Sequence, residues 1–163
     1  MFKVDKLHML IGLPGSGKTT FANSIENAEV IDFDYIYREC LEGLEIKVTS
    51  DKLEKLLPKT LTSNIVVLDG LFMDQSEVER ILTLFLDWCS SKSIEVEKII
   101  LEYWRPDKKK CLWNVKDRNS DGVNLSIELF DLGKPSRKEI EKKFKIKTEL
   151  NLYTIVKKKV EGK

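Results

Sequence analysis

The sequence predicts a three-layer α/β domain built on a parallel sheet, and three observations lead to this prediction. Short apolar segments that favour buried strands alternate with segments of helical periodicity along the 163 residues. A glycine-rich turn joins the first predicted strand to the first predicted helix. Two of the predicted strands end on an aspartate, at the edge where open parallel sheets bind ligands.

The glycine-rich turn lies within residues 8–21 (HMLIGLPGSGKTTF) and has the spacing G-x-x-x-x-G-K-[ST] of a phosphate-binding loop, or P-loop. Glycines let the backbone aim its N–H groups at an anion, and the following helix presents its positive end to the same phosphates. Lys18 is then expected to reach the β- and γ-phosphates of ATP, and the Thr19 hydroxyl to coordinate Mg²⁺. The residues predicted to bind the nucleotide are Gly12, Gly15, Ser16, Gly17, Lys18, Thr19 and Thr20.

The other elements are predicted from apolar patterning and helix-capping residues. Strands are expected at residues 7–11, 28–32, 65–69, 94–104 and 150–156. Helices are expected at residues 19–27, at residues 33–43, where Gly43 ends the helix, and between a cap at residues 49–51 and Pro58. A further helix is expected at residues 74–91, with Ser76 and Glu79 as a capping box. The last two are a short helix after Asp107 and a helix that runs from a cap at Pro135 and Ser136 to Phe144. Residues 126–132 are apolar and compatible with either a strand or a helix.

The aspartates at the ends of these strands are the candidates for chemistry. Asp32 and Asp34 lie between a predicted strand and a predicted helix, where either can cap the helix. A carboxylate there can also accept the proton of a hydroxyl that attacks a γ-phosphate, and Asp34 is the candidate for this base. Asp69 closes the apolar run IVVLD and is expected to hold Mg²⁺ or its water shell.

The basic segment 105–122 (RPDKKKCLWNVKDRNSDG) is predicted to form a short lid. A mobile segment of this kind can close over phosphates, and one of its arginines can neutralise charge on the transferred phosphoryl group. Arg118 is the first candidate because a guanidinium can grip two phosphate oxygens, and Arg105 is the second. Lys110 and Lys116 are the alternatives for the residue that enters the site. An exposed basic helix is the other interpretation of the whole segment.

Length and composition, with 42% hydrophobic and 34% charged residues, indicate one globular domain over residues 1–163. No apolar run approaches the roughly 18 to 20 residues that span a membrane, and the N-terminus lacks the layout of a signal peptide. Three cysteines without a C-x-x-C pair indicate reduced thiols, so we expect a cytoplasmic protein. The only histidine, His8, is expected to be a structural residue.

Charge is unevenly distributed, although the net charge is only +1. Residues 26–45 hold seven acidic side chains and one basic side chain, whereas residues 134–163 hold eleven basic and four acidic ones. A basic C-terminal third can bind a polyanion such as nucleic acid, or it can form a solvated helix face and tail.

Nearly the whole chain resembles the P-loop kinases related to phage polynucleotide kinase and to zeta toxins. GLPGSGKTTFA is similar to the P-loop of that family, VVLDG to its third strand, residues 104–118 to the lid of its small members, and PSRKEIEKKFK with ELNLYTIV to its closing helix and strand. The resemblance implies a P-loop NTPase/kinase fold with a parallel five-stranded sheet, and transfer of the γ-phosphate of ATP to a hydroxyl. It also implies that Lys18 and Thr19 bind ATP and Mg²⁺, that Asp34 is the base and that a lid arginine such as Arg118 assists.

One departure from the family pattern concerns the phosphate acceptor. Polynucleotide kinases usually carry a substrate-binding arginine three residues after the base aspartate, where this chain has Tyr37, and Arg38 follows one position later. The leading acceptor is the 5′-hydroxyl of a polynucleotide, but a nucleoside or a nucleotide-sugar stays open, with Asp32, Arg38 and Arg105 as weaker substrate-binding candidates. The alternative function is a nucleotide-binding NTPase or switch module. The choice between ATP and GTP and the oligomeric state are also left open.

Overall fold

The structure, a computed structural model, describes residues 1–116 and 126–158. The strands are β1 (Phe2–Val4), β2 (Lys6–Ile11), β3 (Glu29–Asp32), β4 (Leu41–Glu42), β5 (Glu45–Ile46), β6 (Ile65–Gly70), β7 (Ile94–Val96), β8 (Lys98–Trp104) and β9 (Lys147–Tyr153). The helices are α1 (Lys18–Ser24), α2 (Phe33–Glu39), α3 (Ser50–Leu56), α4 (Gln75–Ser91), α5 (Lys108–Val115) and α6 (Arg137–Phe144). Residues 126–129, which the sequence left between strand and helix, are helical.

The central sheet has five strands in the order β3-β6-β2-β8-β9, and every neighbouring pair is parallel. This arrangement confirms the predicted α/β class and the parallel five-stranded sheet. β2 and β6 are buried along almost their whole lengths, as expected for central parallel strands. The chain leaves β2 toward β3 on one side of the sheet, and β8 and β9 lie on the other side. The connections therefore change direction beside the carboxyl end of β2, the place where such sheets bind ligands.

Residues 94–104, predicted as one strand, form two strands that belong to different sheets. β7 pairs with β1 in a separate two-stranded sheet, whereas β8 joins the central sheet. The chain changes partner at Glu97, whose N–H donates to the Val4 carbonyl oxygen at 2.9 Å. The prediction was wrong because the alternation of apolar and acidic residues continues through the break, and the partner β1 is only three residues long.

The C-terminal ends of α1 and α2 both differ from the prediction. α1 ends at Ser24 rather than residue 27, because Ile25 is extended, with φ −86° and ψ 112°. Asn27 has a φ of 59°, which also lies outside the helical region. α2 ends at Glu39 rather than Gly43. The residues that follow form the hairpin β4–β5, and Gly43, with a φ of 63°, lies in its turn instead of ending the helix.

The last strand begins at Lys147, three residues before the predicted start. Its first three residues, Lys147, Thr148 and Glu149, are charged or polar, so apolar patterning does not detect them. They belong to a strand at the edge of the sheet, where Glu149 pairs with Lys98 on β8 at 2.6 Å. Charged side chains of this kind are usual on edge strands.

Most of the predicted helix caps are confirmed. The side chains of Thr49, Asp107 and Ser136 each accept a hydrogen bond from the backbone N–H three residues later. α4 is the exception, because Asp74 caps it by accepting from Glu77 N, and the predicted capping box at Ser76 and Glu79 is wrong. Asp74 lies immediately before the helix, and Glu77 follows it three residues later. The sequence therefore contained the same capping pattern two residues before Ser76.

Candidate nucleotide and acceptor site

The predicted P-loop, residues 12–19, which keeps this name below, connects β2 to α1 through two glycines in left-handed conformations. Gly15 has a φ of 81° and Gly17, which is the N-cap of α1, has a φ of 107°. Side chains with a Cβ rarely adopt such angles, so the turn depends on glycine at these positions. As a result Lys18 is the first residue of α1 and lies at the carboxyl end of the central sheet.

A cavity of about 210 Å³, which we call the phosphate cavity after its predicted ligand, lies at this edge of the sheet. It is lined by Pro14, Gly15, Gly17, Lys18, Thr19, Thr20, Asp34 and Asp69. All of these except Pro14 are predicted site residues, so the fold brings together side chains from the P-loop, α2 and the end of β6. Gly12 and Ser16 do not line the cavity; a Cβ on Gly12 would lie 2.5 Å from Ser16 Oγ, so these two residues are packed against each other.

Lys18 and Asp69 form the charged centre of this cavity. The Lys18 side chain is only 8% exposed, and its Nζ donates to the Gly70 carbonyl oxygen at 3.0 Å and lies 3.6 Å from Asp69 Oδ1. Asp69 Oδ1 is buried and has no hydrogen-bond partner within residues 1–116 and 126–158. Burial raises the pKa of the Asp69 carboxyl, the Lys18 charge opposes this shift, and the charges of Asp34 and Asp32 add to it. The cavity thus contains a carboxylate oxygen that has the Lys18 ammonium nearby but accepts no hydrogen bond from the described residues.

These residues fit a magnesium ion that binds together with a nucleotide. In the part of the chain that the structure describes, no cluster of three or more His, Cys, Asp or Glu side chains could hold a metal ion. Mg²⁺ commonly uses one or two carboxylates and completes its octahedron with phosphate oxygens and water. Asp69 and Thr19 both line the cavity, and together they offer one carboxylate and one hydroxyl as ligands for such an ion.

Asp32 and Asp34 have different positions in the structure. Asp32 Oδ1 accepts hydrogen bonds from Asp34 N at 3.0 Å and Tyr35 N at 3.2 Å, so Asp32 caps α2 as predicted. Asp34 Oδ1 accepts from Leu71 N at 3.1 Å, which ties the first turn of α2 to the end of β6. The Asp34 side chain is exposed and is held beside the P-loop.

A second cavity, of about 580 Å³, adjoins the first and shares Asp34 with it. Its lining residues are Asp34, Tyr37, Arg38, Ile46, Leu71, Met73, Asp74, Ser76, Glu77, Arg80 and Phe130. The volume lies within the usual range for small-molecule pockets, and the wall combines apolar and aromatic side chains with a few charged groups. We call it the acceptor cavity.

A hydrogen-bonded network in the acceptor cavity was not predicted from the sequence. Tyr37 Oη donates to Glu77 Oε1 at 2.8 Å, and Arg80 donates to both Glu77 oxygens at 2.8 and 3.1 Å. Burial, with the Glu77 charge, raises the pKa of Tyr37 far above its usual value, so the phenol stays a donor. The spacing of Glu77 and Arg80 on one helix face was the available signal, because residues three apart are neighbours.

The three predicted arginines have different outcomes. Arg38 is exposed and lines the acceptor cavity, and its guanidinium makes no hydrogen bond or ion pair with the described residues. Arg105 is exposed immediately after β8 and lines neither cavity. Arg118 lies outside the described residues, so its place in the site stays a prediction.

The described part of the proposed lid, residues 105–116, contains α5, which packs on the P-loop. Cys111 and Val115 are buried on this helix. A Cβ on Gly15 would lie 2.6 Å from the Cys111 carbonyl oxygen and 2.9 Å from Val115 Cγ1. The beginning of the segment is therefore in direct contact with the P-loop. Its closure over a ligand stays a prediction.

Other predicted features have clear positions. His8 Nδ1 lies 3.1 Å from Glu102 Oε1 in the core, so the histidine is partnered and does not line the site. Gln75, the only glutamine of the chain, is hydrogen-bonded at both ends of its amide, to Glu79 Oε2 at 2.9 Å and to Ser136 N at 2.7 Å. All three cysteines are free and buried.

Across residues 1–116 and 126–158, no helix has the length and apolar character required to cross a membrane.

The comparison with solved structures finds a similar fold in a kinase. The chain superimposes on the crystal structure of a fungal RNA kinase with a TM-score of 0.56 and 14% sequence identity, over 99% of this chain and 78% of the fungal chain. The chain therefore has a kinase-like fold. No protein-family model matches the sequence, and no curated protein is significantly similar to it.

Proposed function

We propose that the protein is an ATP-dependent phosphotransferase that moves the γ-phosphate to a hydroxyl acceptor, of which the leading candidate is the 5′-hydroxyl of a polynucleotide or nucleoside. The observation that carries the proposal is the position of Asp34. Among the described residues, its carboxylate is the one side chain that lines both the phosphate cavity and the acceptor cavity. A general base for phosphoryl transfer must lie where the two substrates meet.

In this proposal each residue of the phosphate cavity has one task. The N–H groups of the P-loop and the N-terminus of α1 bind the phosphates of ATP, and Lys18 neutralises charge on the β- and γ-phosphates. Thr19 and Asp69 hold Mg²⁺, which supplies a positive charge that offsets the charge of the phosphates. Asp34 accepts the proton of the acceptor hydroxyl, while its hydrogen bond from Leu71 N keeps it oriented.

The acceptor cavity supports a substrate that has both an apolar part and an anionic part. Tyr37, Met73 and Phe130 offer a surface on which a base or a ring can pack. Arg38 supplies a cation at the same cavity that is not paired with any described residue, so it is the candidate for binding a phosphate of the acceptor. Arg80 is already hydrogen-bonded to Glu77, so its role in this proposal is to form the wall of the acceptor cavity rather than to bind the acceptor.

The lid arginine belongs to the proposal as well. Residues 105–122 begin beside the P-loop, and a basic residue of this segment, with Arg118 as first candidate, would reduce charge on the transferred phosphoryl group. The fungal RNA kinase supports an acceptor of the nucleic-acid class through its fold alone. A nucleotide-binding switch commonly uses a glutamine to orient the attacking water. The only glutamine of this chain, Gln75, is hydrogen-bonded at both ends of its amide, which counts against the switch alternative.

The test is transfer of labelled γ-phosphate from ATP, with Lys18→Ala as the blank. The acceptors are a 5′-hydroxyl oligonucleotide, a nucleoside mixture and a nucleotide-sugar mixture, and GTP replaces ATP in a parallel series. Label on the oligonucleotide or nucleoside supports the proposal. Label on the nucleotide-sugar alone supports the phosphoryl-transfer reaction but identifies the acceptor as a nucleotide-sugar. No label on any acceptor, in a protein that binds ATP and hydrolyses it slowly, refutes the kinase and favours a switch module.

A further inference from the structure

Asn114 on α5 joins the P-loop to the segment 154–158, which follows β9. Its Nδ2 donates to the Gly15 carbonyl oxygen and to the Val156 carbonyl oxygen, both at 2.9 Å. Its Oδ1 accepts from Lys158 N at 2.6 Å. The two carbonyl oxygens need a donor and the Lys158 N–H needs an acceptor, so only one orientation of the amide satisfies all three partners. This side chain is not among the residues that the proposed function uses.

The hydrogen bond from Asn114 fixes one peptide plane of the P-loop. The peptide unit between Gly15 and Ser16 is planar, so its C=O and N–H point in opposite directions. Asn114 holds the C=O, and the Ser16 N–H donates to the Leu13 carbonyl oxygen at 3.1 Å. A rotation of this plane would break both hydrogen bonds and redirect the backbone dipoles beside the phosphate cavity.

The segment 154–158 in turn holds Asn114. Besides its two hydrogen bonds with the carboxamide, this segment accepts a third at the Lys158 carbonyl oxygen, from Trp113 Nε1 at 2.9 Å. The Lys157 ammonium lies 3.8 Å from the centroid of the Trp113 ring. Two consecutive side chains of α5 therefore bind the same segment, and Asn114 cannot rotate without losing partners in both directions.

We propose that Asn114 is a positioning residue of the nucleotide site: it fixes the Gly15–Ser16 peptide and, through this peptide, the P-loop conformation that binds phosphate, and the segment 154–158 keeps its carboxamide in place. The inference rests on the proposed function for the identity of the ligand, ATP. It does not depend on the transfer step, because it concerns the affinity of the P-loop for the nucleotide.

The test measures the binding of a fluorescent ATP analogue with Mg²⁺ at equilibrium, together with the KM values for ATP and for the acceptor. Asn114→Ala removes every contact of the carboxamide, and Asn114→Asp keeps its shape but turns an oxygen toward two carbonyl oxygens. We expect the affinity for ATP to fall about tenfold in Asn114→Ala and further in Asn114→Asp, while the KM for the acceptor changes less than about twofold.

A third variant asks whether the segment 154–158 acts through Asn114. Lys158→Pro removes the N–H that Asn114 Oδ1 accepts, and we expect about a threefold loss of ATP affinity. Combined with Asn114→Ala it should cause no further loss, because both changes break the same junction. Additive losses would overturn the role of the segment.

Two controls separate positioning from a general loss of stability. Asn64→Asp makes the same chemical change at an exposed position just before β6, at the opposite edge of the sheet, and should leave ATP affinity unchanged. Amide hydrogen exchange in residues 12–17 should become faster in Asn114→Ala without ligand, while exchange in β6 stays slow. Wild-type ATP affinity in a folded Asn114→Asp variant would overturn the inference and leave the proposed function standing. A wild-type protein without affinity for ATP would overturn both.

Discussion

Replacement of Gly15 by alanine should destabilise the protein through two separable effects. The first is backbone strain, because a φ of 81° costs a residue with a Cβ about 1–2 kcal/mol. The second is a collision: the new Cβ would lie 2.6 Å from the Cys111 carbonyl oxygen, a backbone atom that cannot move without moving α5. Overpacking of this kind costs about 1–3 kcal/mol. The expected loss in the free energy of unfolding is therefore roughly 2–5 kcal/mol.

Gly43→Ala is a matched control for this prediction. Gly43 also has a positive φ, 63°, but nothing lies within 4 Å of the Cβ that alanine would add. Only the strain applies there, so the expected loss is about 1–2 kcal/mol. Urea unfolding followed by circular dichroism measures both variants, with the m-value as a check that the denatured state is unchanged. Equal losses in the two variants would refute the close packing of the P-loop on α5.

Three further predictions concern ionisation, thiol reactivity and substrate binding. Burial raises the pKa of Asp69, so the stability that this shift contributes is present below the usual carboxyl pKa and is lost as the pH rises through the folded-state pKa. Asp69→Asn should therefore raise the melting temperature at pH 7 without ligand, and should abolish the further rise caused by ATP with Mg²⁺. Burial raises the pKa of Cys111 to about 11, so a thiol reagent at pH 8 should label this cysteine only as fast as the protein opens. Arg38→Ala should raise the KM for the acceptor about tenfold and leave the KM for ATP unchanged, which steady-state kinetics with each substrate varied in turn will show.

Each of these predictions has a clear contrary result. A lower melting temperature of Asp69→Asn without ligand would mean that the ionised carboxylate stabilises the folded protein. Labelling of Cys111 at the rate of a free thiol would mean that α5 leaves the P-loop readily. A parallel rise of both KM values in Arg38→Ala would contradict a specific role of that arginine in binding the acceptor.

The parts of the site that could be predicted are those encoded by neighbouring residues. The P-loop is a local motif, and the apolar run that ends at Asp69 marks a buried strand without reference to the rest of the chain. The position of Asp34 beside both follows from the rule that parallel strands present their carboxyl ends at one edge, and in the structure these residues line one cavity.

The parts that could not be predicted depend on contacts between distant residues. Asn114 lies 99 residues from Gly15 along the chain, and Tyr37 lies 40 residues from Glu77. No local pattern links such pairs, since Asn114, Tyr37 and Glu77 are each, taken alone, ordinary residues of a helix. The split of residues 94–104 had the same origin, because it depends on the pairing of β7 with the N-terminal strand β1.

The measurement that tests the account most directly is phosphoryl transfer by Asp34→Asn. Asparagine keeps an oxygen that can accept the hydrogen bond from Leu71 N, but it cannot take a proton from a hydroxyl. The account predicts a loss of transfer of about 100- to 10,000-fold, with the affinity for ATP and the melting temperature close to those of the wild type. Transfer at the wild-type rate in this variant would contradict the assignment of Asp34 as the base at the junction of the two cavities.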